Sequence, residues 1–185
     1  MNFSELVAQN ILLRWLTGNT PRYDLAVSMA GLKLGDRFLL IGCADPRLVA
    51  ALAAKIGFTG RACVVDPDAA AVQRAQRAAE KAGVLVETQE ASLDRLPYDA
   101  DAFDLVVVRP GGSLSASIAR LEPALPEALR VLRPGGRCLI VADAKLSHGA
   151  SEDAIRQLGE HGFRAARLLA EREGLMFLEA VKARP

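Results

Sequence analysis

The chain has 185 residues, 51% of them hydrophobic and 24% charged, with 23 Lys+Arg against 22 Asp+Glu. That is enough chain for one ordinary core and the wrong composition for a disordered segment. A formal net charge of +1 gives no electrostatic footprint for DNA or RNA, so no nucleic-acid partner is expected.

Phe3, Leu6, Val7, Ile11 and Trp15 fall at helical spacing, which predicts a helix over 3–16, with Asn2 and Glu5 spaced as a capping box. Gly18-Asn19-Thr20-Pro21 breaks it, and a second short helix is predicted over 22–32. The first helix reads as a flap that packs on the core, as a lid over a pocket, or as a surface for a homodimer. From Arg37 onward short apolar runs alternate with helical text. Phe38-Leu39-Leu40-Ile41 is a strand buried on both faces. A helix over 46–56 follows, then a strand over 62–65. The next helix runs over 68–82 and is closed by Gly83 as its C′ residue. Strands are predicted over 84–88, 103–108 and 137–142, with a helical region punctuated by Pro123 and Pro126 ending at Leu132, and a helix over 151–160. The stretches 163–170 and 175–181 read as a closing hairpin around Glu171-Arg172-Glu173-Gly174.

This alternation specifies an α/β fold: a doubly wound, mostly parallel, seven-stranded sheet whose C-terminal hairpin is antiparallel. One domain is expected over 1–185, with 1–32 as an N-terminal helical flap and 33–185 as the α/β core. The cysteines Cys43, Cys63 and Cys138 are far apart and include no C-x-x-C pair. That pattern excludes a disulfide scaffold and a zinc ribbon; all three read as small apolar residues in or beside strands, in a reducing compartment, and no metal is expected. No apolar run approaches the ~20 residues of a membrane span. The first residues lack the basic region of a secretion signal. A cytoplasmic protein with no membrane partner is expected.

Open α/β sheets bind ligands beyond the carboxyl ends of their strands. After the first strand come Gly42-Cys43-Ala44-Asp45-Pro46, with Asp45 as an N-cap and Pro46 at the first helical position. After the second comes Asp66, 24 residues past Gly42 (66 − 42), the spacing at which an acid meets a ribose diol. Asp66 reads equally as a cap for the next helix. Glycines of a G-x-G-x-x-G pattern would stand at 44 and 47, where the chain has Ala44 and Arg47. An acid at 45 would also repel a pyrophosphate seated on the helix N-terminus, so a dinucleotide dehydrogenase is disfavoured. With no G-x-x-x-x-G-K-[ST], a P-loop nucleotidase is excluded.

Four segments, in order, resemble the class I S-adenosylmethionine-dependent methyltransferases, similar to the quinone-biosynthesis-type (type 11) small-molecule enzymes. They are Leu32-Lys33-Leu34-Gly35-Asp36-Arg37-Phe38-Leu39-Leu40-Ile41-Gly42-Cys43; Val64-Val65-Asp66; Leu96-Pro97-Tyr98 with Phe103-Asp104-Leu105-Val106-Val107; and Glu127-Ala128-Leu129-Arg130-Val131-Leu132-Arg133-Pro134-Gly135-Gly136-Arg137. Pro134-Gly135 suits the centre of a tight turn. The resemblance covers residues 25 to 182 and implies S-adenosylmethionine as cofactor and a small-molecule methyl acceptor. It assigns cofactor binding to Gly42, Cys43, Ala44, Asp66, Pro67, Ser92, Leu93 and Arg109, and names no catalytic residue.

The glycine loop is degenerate. The family's acid two places before the first glycine is Leu40 here, its later loop glycines are Ala44 and Pro46, and its adenine-binding acid is Ser92. Arg109 either grips a carboxylate or phosphate of substrate or cofactor, or pairs with Asp45 or Asp66 across the strand ends. His148, after the fifth strand with Asp143 and Lys145, is a candidate base or a solvated loop residue. His161 ends a helix, where a cation suits the dipole. The alternative to an enzyme is a non-catalytic methyltransferase-like module that binds or docks.

Overall fold

A computed structural model describes residues 21–43, 45–109, 122–144 and 150–184. The expected helix over 3–16, Ala44, the stretch 110–121 and His148 lie outside these residues. Helix α1 (Pro21–Ala30) precedes β1 (Arg37–Ile41), α2 (Pro46–Ile56), β2 (Arg61–Asp66), α3 (Ala69–Ala82), β3 (Glu87–Glu90) and β4 (Phe103–Val108). A 3₁₀ turn (Glu122–Ala124) then leads into α4 (Leu125–Val131), β5 (Leu132–Asp143), α5 (Ala150–Glu160), β6 (Arg164–Arg172) and β7 (Leu175–Val181).

The strands form one seven-stranded sheet in the order β3-β2-β1-β4-β5-β7-β6. The first five are parallel, and β7 runs antiparallel to both β5 and β6. This is the architecture expected from the sequence. Alternating strand residues divide the core into two layers, as the pleat requires. Leu39, Ile41, Cys63, Val65, Val106 and Val108 face α4 and α5, while Phe38, Leu40, Ala62, Val64, Leu105 and Val107 face α1, α2 and α3. Both faces are therefore covered, which is why Phe38–Ile41 of β1 and Leu105–Val108 of β4 read as unbroken apolar runs.

The helix ends follow from local chemistry. The Asp45 carboxylate accepts the Arg47 N–H at 3.2 Å, and Pro46 occupies the first turn of α2. Its residues Leu48, Val49, Leu52, Ala53 and Ile56 then fall on the buried face. Asp68, not Asp66, caps α3 by accepting from Ala70 N at 2.9 Å. Gly83 ends α3 in the left-handed region at φ +68°, its N–H returned to the last carbonyls. The β6–β7 connection is a two-residue turn, Glu173 at φ +54° and Gly174 at φ +72°, the pair of positive angles that matches the twist of a hairpin.

The largest departures from the expected boundaries are in two strands. The third strand is Glu87–Glu90 rather than 84–88. Pairing of Cys63 with Glu87 through Asp66 with Glu90 sets its position, while Val84 and Val86 pack under the sheet against the α1–α3 layer. As an edge strand it needs no apolar run. The fifth strand begins at Leu132, five residues before Arg137. Leu132 pairs with Phe103 and Arg137 with Leu105, so the Pro134-Gly135 segment is a bulge inside the strand and not a turn before it. The Gly135 N–H bonds to the Lys182 carbonyl at 2.9 Å, with φ +76° at Gly135.

Carboxylates tie the amino-terminal end of the sheet together. Glu127 is held below the ordinary carboxylate value by the Arg130 guanidinium and by the Leu96 N–H, at 2.7 Å. At Asp104, burial alone would raise the value but is outweighed by the Arg37 N–H at 2.8 Å and by Arg133. Both groups bind protons more weakly folded than unfolded, so their contribution is complete above the ordinary values of 4.5 and 3.8 and is lost as pH falls through the lowered ones. Urea midpoints should therefore drop on acidification below about pH 4.5. Glu127→Gln should be less stable than wild type at neutral pH, and the difference should shrink as the pH falls below 4.5; an unchanged difference on acidification would contradict the assignment.

Candidate functional site

The chain order reverses between β1 and β4, the point at which ligands enter such sheets. At their carboxyl ends the strand ladders run on into the loops. Gly42 N–H bonds to Val65 O at 2.9 Å, Arg109 N–H to Ile41 O at 2.8 Å, and Ala91 N–H to Asp66 O at 3.3 Å. Gly42 has φ +87°, a conformation that a side chain would strain.

Asp66 is the centre of this arrangement. One carboxylate oxygen accepts the Cys43 N–H at 2.6 Å and the other accepts the Asp68 N–H at 2.8 Å. The side chain thus joins the loop after β1 to the loop after β2. It is half-buried at the rim, and each oxygen keeps a second lone pair for a hydroxyl donor. Between the two readings of Asp66 left open by the sequence, the helix cap passes to Asp68.

The remaining predicted residues are less uniform. Cys43 is buried, and burial followed by the neighbouring Asp66 charge pushes its thiol up to about 12. It contributes a backbone N–H and no nucleophile. Pro67 is exposed beside Asp66, and Leu93 is half-buried against the α4–α5 layer. The exposed Ser92 hydroxyl donates to the Asp94 carboxylate, so an acid does stand in this loop, two residues beyond Ser92. The pattern L-D-R-L-P-Y contained that signal.

Arg109 is the residue whose partner differs from expectation. It pairs neither with Asp45 nor with Asp66. Its guanidinium donates to Asp143 at 2.9 Å and to the Val141 carbonyl at 3.3 Å. The reason is strand order: β5 lies beside β4, and Val108 is level with Ile140. At 7% exposure Arg109 is the buried charged residue among those described. Tyr23, which sequence reasoning passed over, reaches from α1 to donate its hydroxyl to Asp45. His161 lies just past α5 with Nδ1 2.9 Å from the Gln157 carbonyl, as a helix-end residue. A cavity of about 560 Å³ runs between α1 and α2, lined by Val27, Leu32, Ala51 and Lys55 among others, and none of the strand-end residues lines it.

All three thiols are buried and free of disulfides, and burial raises each to about 12. Thiol-labelling at pH 8 should be slow in the folded protein and should reach three groups per chain in denaturant. Rapid labelling of the native Cys43 would show the loop to be open.

Comparison with known proteins follows this geometry. A family profile described as "Methyltransferase domain" matches residues 38–136. The ubiquinone/menaquinone biosynthesis C-methyltransferase UbiE of Pseudomonas savastanoi is 30% identical over 122 residues, covering 65% of this chain and 46% of that protein. The chloroplastic 2-phytyl-1,4-beta-naphthoquinone methyltransferase of Arabidopsis thaliana is 34% identical over 122 residues, covering 64% and 46%. The chain therefore spans about half the length of these curated relatives. A SAM-dependent methyltransferase from Aquifex aeolicus superposes with a TM-score of 0.75 at 18% identity, over 87% of this chain and 89% of that one, a likeness of fold. Since the profile covers more than half of its residues, the chain belongs to the methyltransferase domain family.

Proposed function

We propose that this chain binds S-adenosylmethionine beyond the carboxyl ends of β1, β2 and β4 and transfers its methyl group to a small-molecule acceptor. The observation that carries this reading is the Asp66 carboxylate, fixed by two backbone N–H groups at the switch point and bonded to the loop that Gly42 opens. A carboxylate so held is pre-oriented to accept a ribose diol. Gly42, Cys43 and Ala44 would line the donor from the β1 side, with Pro67 beside its sugar and Ser92 and Leu93 beside its base.

The bound donor supplies an already activated methyl group on sulfur, so the protein's task is alignment. Asp66 holds the sugar end and the Gly42 turn lets backbone approach the ligand. Arg109, neutralised by Asp143, stiffens the acceptor side and carries no net charge to it. The Cys43 thiol, raised by burial, takes no part as a nucleophile. The curated relatives named above are a ubiquinone/menaquinone biosynthesis C-methyltransferase and a 2-phytyl-1,4-beta-naphthoquinone methyltransferase, which supports the transfer reading over a non-catalytic docking module. We place the protein in the cytoplasm as a single domain over 1–185, with a homodimer through the N-terminal helix as its assembly; among the described residues no helix is long and apolar enough to cross a membrane.

Calorimetric titration of the purified chain with S-adenosylmethionine and S-adenosylhomocysteine tests the reading. Binding of both, tighter than millimolar, is expected. No detectable heat from a folded sample would overturn it.

A further inference from the structure

The cavity between α1 and α2 has Val27, Leu32 and Ala51 as an apolar wall, and Asp24 of the first α1 turn lines one end of it. Tyr23 of α1 bonds to Asp45, the cap of α2, so both helices start at the carboxyl ends of the strands and run the same way. At the opposite end stand two large apolar side chains, Leu34 at 79% and Phe58 at 84% exposure. Leu34 comes within 3.1 Å of where a Cβ would stand on Gly57, and the Gly35 N–H bonds to the Ile56 carbonyl at 2.9 Å. Both residues therefore flank the carboxyl end of α2, next to Leu32 and Lys55 of the cavity. Exposed apolar surface continuous with a groove marks an interaction site.

The chain carries a segment of matching length, pattern and charge. The predicted helix over 3–16 is separated from Pro21 of α1 by Thr17-Gly18-Asn19-Thr20, a turn composition of the length that joins antiparallel helices. Folded back, such a helix points from the start of α1 toward its end. Its 14 residues (16 − 3 + 1) rise about 21 Å, against about 15 Å for the 10 of α1. The surplus of about 6 Å carries Phe3 past Ala30, toward Leu34 and Phe58. Phe3, Val7, Ile11 and Trp15 share one helix face, and Arg14 lies on that face at the end where Asp24 stands.

We propose that this chain's own segment 1–16 seats in the groove between α1 and α2, with Phe3 over Leu34 and Phe58 and Arg14 beside Asp24. Leu12 and Leu16, on the other side of the same helix, remain for the homodimer contact proposed above. The seated segment clamps α1 to α2 and, through the Tyr23–Asp45 bond, braces the loop after β1. Seating needs no bound donor.

Trp15 is the chain's one tryptophan, so its fluorescence reports on the segment in the intact protein. Wild-type emission should be blue-shifted and shielded from acrylamide, and should stay so on dilution into the monomer range. Ala54→Glu, on the exposed wall of the groove, and Phe58→Ser should each shift emission to longer wavelength and raise quenching. Both sites are exposed, so circular dichroism should show the fold kept. Leu85→Ser, at a residue 74% exposed beyond α3, should change nothing. A wild-type Trp15 open to acrylamide would overturn the proposal. So would shielding indifferent to both groove substitutions, which puts the segment elsewhere, or an equal response to Leu85→Ser. Shielding lost on dilution would overturn it too, by assigning the groove to a second copy's segment.

Discussion

Asp66→Ala should weaken S-adenosylhomocysteine binding by at least about 100-fold. The carboxylate would accept from a diol, and hydrogen bonds to a charged acceptor contribute about 1.5–3 kcal/mol each, so about 2.8 kcal/mol corresponds to that factor. The same substitution leaves the Cys43 and Asp68 N–H groups without their acceptor, which loosens the β1 loop as well. Asp66→Asn separates the two effects. It retains one acceptor oxygen and nearly the same shape, and should lose about tenfold in affinity with a smaller change in thermal midpoint. Titration calorimetry checks the first quantity and circular dichroism the second. If Asp66→Ala folds and binds as well as wild type, the donor does not lie at β2.

The second large effect is on stability. Arg109→Met should lower the unfolding free energy by about 2–3 kcal/mol, read from urea midpoints. Removing one member of a buried ion pair commonly costs about 3–5 kcal/mol because the other charge loses its compensation. Here the Asp143 side chain is 29% exposed while that of Arg109 is 9% exposed, and water will recover part of the loss at the aspartate. The Val141 carbonyl loses a donor too. Asp143→Asn should cost less, and the double variant should fall short of the sum of the two, as coupled neighbours do. Additive losses would show that the pair is not a unit.

The legible parts of the sequence were those governed by burial and by local backbone chemistry. Phe38–Ile41, Phe103–Val108 and Leu175–Val181 are strands because runs this rich in apolar residues need cover on both faces, and they are found where the runs stand. Asp45-Pro46 and Gly83 mark helix ends by mechanisms that act within one turn. Features that depend on strand order were not legible. Arg109 meets Asp143 because β5 adjoins β4, a fact of topology rather than of spacing. The polar edge strand Glu87–Glu90 is defined by its neighbour's ladder, and its own residues give no apolar signal. The Tyr23–Asp45 contact joins residues from different helices, α1 and the start of α2, and required the packed structure to appear.

Degeneracy of the glycine loop also looks different in the structure. Pro46 occupies a first-turn position whose N–H would be unused by the helix, and Asp45 caps that same helix. The substitutions are locally coherent: they make a firm start for α2. Among the described residues of this turn, the position whose backbone favours glycine, Gly42 at φ +87°, has one.

The most direct measurement is a crystal structure of the chain grown with S-adenosylhomocysteine. The account predicts ligand density beyond the carboxyl ends of β1 and β2, with ribose hydroxyls at about 2.5–3.0 Å from the Asp66 oxygens and adenine toward the loop of Ser92 and Leu93. Density for the ligand in another place, or a switch point filled by the protein's own side chains in a crystal grown at saturating ligand, would contradict it.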